Sequence, residues 1–189
     1  KICKDVDSLF SSQYPSNEPG VSVLIMKEDS VIFSQGYGIA DLSTGLTIDD
    51  NTFFNIASVS KQFSAVAIMM LAEEGKLSLD DNLKKWFPDF QADFFNEIKL
   101  SHLLSHTSGI PDSRDRSNRE FVTKATDVES YSYIAKLDSL NFEPGSKYEY
   151  MNPTFQLMYS IIEMASGIPF ETFMKERIFN PSGMEETLY

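Results

Sequence analysis

Near the start of the chain two runs rich in β-forming residues, VSVLIM and SVIFSQGYGIAD, flank the polar connection KEDS, and from Val59 onward the apolar positions fall into helical patterns instead. The length and polarity of KEDS predict a β-hairpin. Ahead of it, KDVDSLFSSQY carries Val6, Leu9 and Phe10 as the apolar side of a short amphipathic helix that stops before Pro15. The stretch FNIASVSKQFSAVAIMMLAEEGK, Phe54 to Lys76, holds eight consecutive apolar residues from Ala65 to Ala72. Such a run predicts a helix buried all round, with Gly75 as its C-terminal cap. SHLLSHTSGI predicts a shorter helix closed by Gly109. In NPTFQLMYSIIEMASG, Pro153 suits a first helical turn, Phe155, Met158, Ile162 and Ala165 share a face, and Gly167 ends the helix; PFETFMKERIF supplies another. Pro111 to Thr126, with seven charged residues, has the composition of a polar surface excursion.

These elements are unevenly distributed: two strands come first, helices follow, and nothing later completes a sheet. A lone hairpin is marginal in water, so the strands need partners from elsewhere. The expected organisation is an N-terminal helix and hairpin over residues 1–57 and a mostly helical lobe over residues 58–189.

With 189 residues, 42% of them hydrophobic, the chain can bury a real core. Its formal charge of -12 narrows the function: phosphate binding needs clustered cations, so nucleic acid and anionic membrane are poor partners and a small-molecule or polymer substrate is favoured. The one cysteine, Cys3, cannot form an internal disulfide, and Lys1 and Ile2 are not the small uncharged pair of a lipoprotein processing site. The longest apolar run is far too short to span a bilayer. A first residue of Lys instead of Met points to a lost leader or tag.

Chemistry enters at the head of the long apolar helix. If the helix begins near Ser58, Lys61 lies three residues on and on the same face, with Cβ atoms about 5 to 6 Å apart, whereas Ser60 points elsewhere. A serine hydroxyl must lose its proton to a base as it attacks, and desolvation can lower a lysine's pKa enough for it to serve. The free N–H groups of a helix N-terminus would stabilise the developing charge. Ser58 is the only serine in the chain with lysine three residues on. The bland alternative is that Ser58 is an N-cap and Ser60 and Lys61 are exposed first-turn residues. In PGSKYEYMNP, an extended segment would turn Tyr150 and Asn152 to the same side, into one cleft. Here too a structural alternative stands: Asn152 before Pro153 is a good N-cap, and Tyr150 a half-buried core residue. A Ser58, His106 and Asp112 triad is conceivable, but no Gly-x-Ser-x-Gly elbow occurs. His102 and His106, four apart with no nearby His-Glu pattern, do not make a metal site.

Taken together, SVSK at the start of an apolar helix, LLSHTSGIP some forty residues later, PGSKYEYMN after that and GIPFETFMKERIFNPSGM to follow resemble the class C β-lactamase and penicillin-binding-protein-like serine hydrolases, in order and spacing, across nearly the whole chain. The resemblance implies an α/β fold of α+β type, with an antiparallel sheet flanked by helices plus a helical lobe, of which this chain carries the first two strands and the lobe. It implies Ser58 as the acyl-forming nucleophile, Lys61 as its base partner, Tyr150 as a proton carrier between serine and leaving group, and Asn152 as a ligand of the substrate amide and of Lys61. It places His106 in a structural turn and asks for no cofactor. Substrates would be β-lactams, D-alanyl peptides or small esters, which share an electrophilic carbonyl, and the site of action would be periplasmic or extracellular. How the base role divides between Lys61 and Tyr150 stays open.

One part of the family pattern is missing. No Lys-Thr-Gly, Lys-Ser-Gly or His-x-Gly occurs in the sequence, and in the family that motif lies on a late strand that binds the substrate carboxylate and gives the second N–H of the oxyanion hole. The expectation is therefore the N-terminal portion of a longer domain, inactive without its C-terminal strands. The alternative is a catalytically silent homologue that binds peptidoglycan or a protein partner.

Overall fold

The computed structural model describes residues 1–112 and 127–189. They form two compact units, Lys1–Ile56 and Ala57–Tyr189. Most of the charged stretch expected at Pro111 to Thr126 lies outside the described residues.

The first unit opens with helix α1 (Ile2–Gln13), followed by β1 (Val21–Lys27) and β2 (Ser30–Tyr37), an antiparallel hairpin as expected. Its turn residues Glu28 and Asp29 have φ of 48° and 61°. This is the left-handed pair that matches the twist of the strands, here made without glycine. The register shifts between Ile25 and Met26, where the ladder bulges. The α1 helix is tied to β2 by Phe10, whose ring stacks on Tyr37, and by the Tyr37 hydroxyl, which donates to Asp7 at 3.0 Å. A second short antiparallel ladder, β3 (Ile39–Asp41) with β4 (Leu46–Thr47), adds to the two expected strands.

The second unit begins with a tight 3-10 turn, Ala57–Ser60, that runs into helix α2 (Lys61–Glu73). Gly75, at φ 70°, ends α2: its N–H reaches the Ala72 carbonyl at 3.0 Å and the Lys76 N–H reaches Leu71 at 2.9 Å. Both orphan carbonyls are thereby satisfied. Short helices α3 (Leu83–Trp86) and α4 (Leu100–Leu104) follow, then α5 (Asp127–Ala135), α6 (Pro153–Ser166) and α7 (Phe170–Met174). The α6 helix packs against α2, α4, α5 and α7. It therefore buries Leu157 and Ile161 as well as the expected Phe155, Met158 and Ile162, while Ala165 stays partly open.

Two expectations are corrected. The α2 helix is not buried all round: Ser64, Ala67, Ile68 and Leu71 are buried, but Val66 and Met69 are about half exposed. Eight apolar residues in a row wrap every side of a helix, while α6 covers only one side of it. Nor does the helix in SHLLSHTSGI extend to Gly109; it ends at Leu104, because His106 turns the chain at φ 56°. The Thr107 N–H closes back on the His102 carbonyl at 2.8 Å and the His106 N–H on Leu103 at 3.3 Å, a C-terminal cap of the kind glycine usually makes. Among the described residues no helix is long and apolar enough to cross a membrane.

Candidate active site

Ser58 is exposed within the turn that feeds α2, and the residue before it, Ala57, sits at φ 46°. A non-glycine residue in that region is uncommon and costs backbone energy, and such strain clusters at functional positions. Lys61, the first residue of α2, brings its Nζ to 3.1 Å from Ser58 Oγ. Ser60 is occupied differently: its carbonyl accepts from the Tyr189 hydroxyl at 3.1 Å.

The other half of the site comes from the segment that leads into α6. This segment is laid on the turn after α4 by a series of main-chain hydrogen bonds. Asn141 N–H donates to Gly109 O at 2.8 Å, Gly145 N–H to Thr107 O at 2.8 Å and Glu149 N–H to His106 O at 2.9 Å. A Cβ on Gly109 would stand 2.1 Å from the Phe142 carbonyl oxygen, so only glycine permits the approach. Within the segment Met151 is buried, while Tyr150 is 40% exposed. Met151 anchors the extended segment in the core, and its neighbours reach the opposite way. Tyr150 brings its hydroxyl to 2.8 Å from Ser58 Oγ. Asn152 Oδ1 accepts from Lys61 Nζ at 2.7 Å.

Four residues from two distant stretches of chain thus meet: Lys61 and Tyr150 both donate to Ser58 Oγ, and Asn152 steadies Lys61. The structural alternatives do not describe what these side chains do. Asn152 holds the N-cap position of α6 but makes no cap hydrogen bond with its side chain, and Ser58 lies in the turn ahead of the α2 cap residue, Ser60. Lys61 is half-buried, not enclosed in an apolar helix. Its Nζ lies 5.2 Å from the Tyr150 ring centre and 5.5 Å from that of Phe155, within the range of cation–π attraction. Phe155, which the sequence pattern assigns only to a buried stripe, is therefore part of the lysine's seat.

The structure wires His106 in the opposite sense to a catalytic triad. A triad histidine donates Nδ1–H to a carboxylate. Here Nδ1 accepts the Met151 N–H at 3.1 Å, and the ring packs against Tyr150 and Phe155 with centroids 4.5 and 5.1 Å apart. Burial, and then the positive charge of Lys61, push this imidazole below the ordinary histidine value of 6.5. His102 turns its Nδ1 to a different amide, the Lys99 N–H at 3.2 Å.

A nucleophile-capable serine at a helix entrance, joined to a lysine and a tyrosine hydroxyl, in a chain that also carries an antiparallel hairpin, is the arrangement of a β-lactamase/transpeptidase-type fold. The chain matches the family described as Beta-lactamase over residues 10–189, and it belongs to that family. It is 29% identical over 195 residues to penicillin-binding protein 4* of Bacillus subtilis, covering 97% of this chain and 41% of that protein. It is 31% identical to protein flp of Staphylococcus aureus, covering 90% and 35%. The octameric penicillin-binding protein homologue of Pyrococcus abyssi has a similar structure, with a TM-score of 0.81 and 29% identity over 97% of this chain and 43% of that one. The chain thus spans less than half the length of each of these relatives.

Proposed function

We propose that the protein carrying this chain is a serine hydrolase of the class C β-lactamase-like type, acting through a covalent acyl-enzyme on β-lactams, D-alanyl peptides or small esters. The observation that carries this is the convergence of Lys61 Nζ and Tyr150 Oη on Ser58 Oγ, at 3.1 and 2.8 Å. Ser58 Oγ attacks the carbonyl carbon while its proton passes into the Tyr150–Lys61 pair. The Ser58 N–H donates to the oxyanion of the tetrahedral intermediate. Collapse of that intermediate breaks the bond to the leaving group, which takes its proton from Tyr150. Water then attacks the acyl carbonyl, loses its proton to the same pair and releases Ser58. Asn152, holding Lys61 through Oδ1, presents its amide N–H to the substrate's carbonyl. The name of the penicillin-binding relative supports substrates of the β-lactam class, and the family resemblance supports a site of action outside the cytoplasm.

The sequence lacks the Lys-Thr-Gly or His-x-Gly motif that would supply the second oxyanion donor. Residues 1–189 alone therefore turn over neither nitrocefin nor an aryl ester. A second reading is a silent scaffold that binds peptidoglycan or a partner without turnover, and covalent labelling separates the two.

Steady-state hydrolysis of nitrocefin, a D-alanyl-D-alanine peptide and an aryl ester by the full-length protein tests the proposal and ranks the substrates. Lys61→Ala and Tyr150→Phe each lower kcat/KM by about 10²- to 10⁴-fold on whichever substrate is used. Wild-type turnover by either variant, in folded protein, would remove the proposed roles.

A further inference from the structure

The mechanism uses Tyr150 but does not explain what holds its hydroxyl at Ser58. Tyr150 is part-exposed, with no helix of its own, and its hydroxyl must stay within hydrogen-bond reach of a serine 92 residues away. The backbone amides on either side of it are both taken by one residue. His106 O accepts the Glu149 N–H at 2.9 Å and His106 Nδ1 accepts the Met151 N–H at 3.1 Å. Its ring also lies against the Tyr150 ring, with centroids 4.5 Å apart. The left-handed turn at His106 aims both acceptors at the same segment.

From this geometry we propose that His106 is a pH-sensitive positioning residue: its neutral ring clamps Tyr150 against Ser58, and its protonation releases the tyrosine and slows acylation. The proposal rests on the acyl-enzyme function assigned to Ser58. Only an unprotonated Nδ1 can accept the Met151 N–H; adding a proton sets N–H against N–H and ends that bond. Of the groups that face the ring, Lys61 makes protonation costlier still. Lys61 presents a positive charge from α2, Tyr148 and Tyr150 present phenols from the segment before α6, and α6 itself contributes Phe155, which does not titrate. Since burial and Lys61 hold His106 below the ordinary histidine value of 6.5, the clamp is closed at neutral pH and opens in the acid range below it.

The test is the rate of covalent labelling of Ser58 in the full-length protein, from pH 8 to pH 5, with a fluorescent penicillin or a fluorophosphonate. In wild type the rate falls by about tenfold or more toward pH 5. His106→Asn tolerates the left-handed backbone and offers an amide oxygen to Met151 without titrating, so it restores labelling relative to His106→Ala and stays nearly level across the same range. His106→Ala loses the clamp at every pH and labels about a hundredfold more slowly in folded protein. An acid limb in His106→Asn as steep as in wild type, or wild-type labelling by folded His106→Ala, would overturn the proposal. A second readout does not depend on activity: with ¹⁵N-methionine labelling, the Met151 amide resonance should move with the His106 titration. If the wild type takes no label at any pH but Met151 follows His106, the clamp stands and the acyl-enzyme function falls. If labelling occurs and Met151 ignores His106, the clamp falls alone.

Discussion

The two units of the chain differ in how completely their apolar residues are covered. In Ala57–Tyr189, Phe90, Phe95, Phe173, Ile68 and Leu71 are fully buried, and α6 sits among four other helices. In Lys1–Ile56 only Tyr37 and Ile48 count as buried apolar residues, α1 buries none, and Leu24, Met26 and Val31 are each more than half exposed. All four candidate catalytic and binding side chains, and His106 with them, belong to the unit with the finished core. Groups that must hold positions within a few tenths of an ångström need rigid elements behind them, and only the helical unit supplies these from its own residues.

Core truncation should separate the units most sharply. Phe90 is fully buried against Phe87, Phe95 and Tyr131, so Phe90→Ala is expected to cost about 3–5 kcal/mol in urea unfolding. Leu24→Ala, at a position 57% exposed, should cost about 0.5 kcal/mol or less. Equal losses at the two positions would mean that the hairpin is as well covered as the helical core. The smallest effect is a gain. Glu28 and Asp29 occupy left-handed positions that Asn and Gly fill more cheaply, so replacing the pair by Asn-Gly should stabilise β1–β2 by about 0.5–1 kcal/mol, read as slower hydrogen exchange of the strand amides.

The same contrast marks what the sequence could and could not tell. The contact between Ser58 and Lys61 was legible because a three-residue spacing at a helix entrance is local geometry. The hairpin was legible from the polarity of KEDS, although its left-handed Glu-Asp turn was not. The meeting of Tyr150 with Ser58 depends on chain folding across 92 residues, and only family resemblance pointed to it. The burial of α2 was misjudged because an apolar run records what a helix can bury and not what lies beside it. The end of α4 was misplaced because glycine is the usual signal for a left-handed cap, and here a histidine takes that conformation. That histidine's grip on the Tyr150 segment uses a main-chain oxygen and a ring nitrogen aimed by one dihedral, which no residue pattern announces.

The central claim is that Ser58 is the residue that becomes acylated, activated by Lys61 and Tyr150. Peptide-level mass spectrometry of the folded full-length protein, treated with a fluorescent penicillin and separately with a fluorophosphonate, tests it most directly. The account predicts an adduct on Ser58, absent from Ser58→Ala and strongly reduced in Lys61→Ala. An adduct on Ser60 or another serine, or no adduct with either probe, would contradict it.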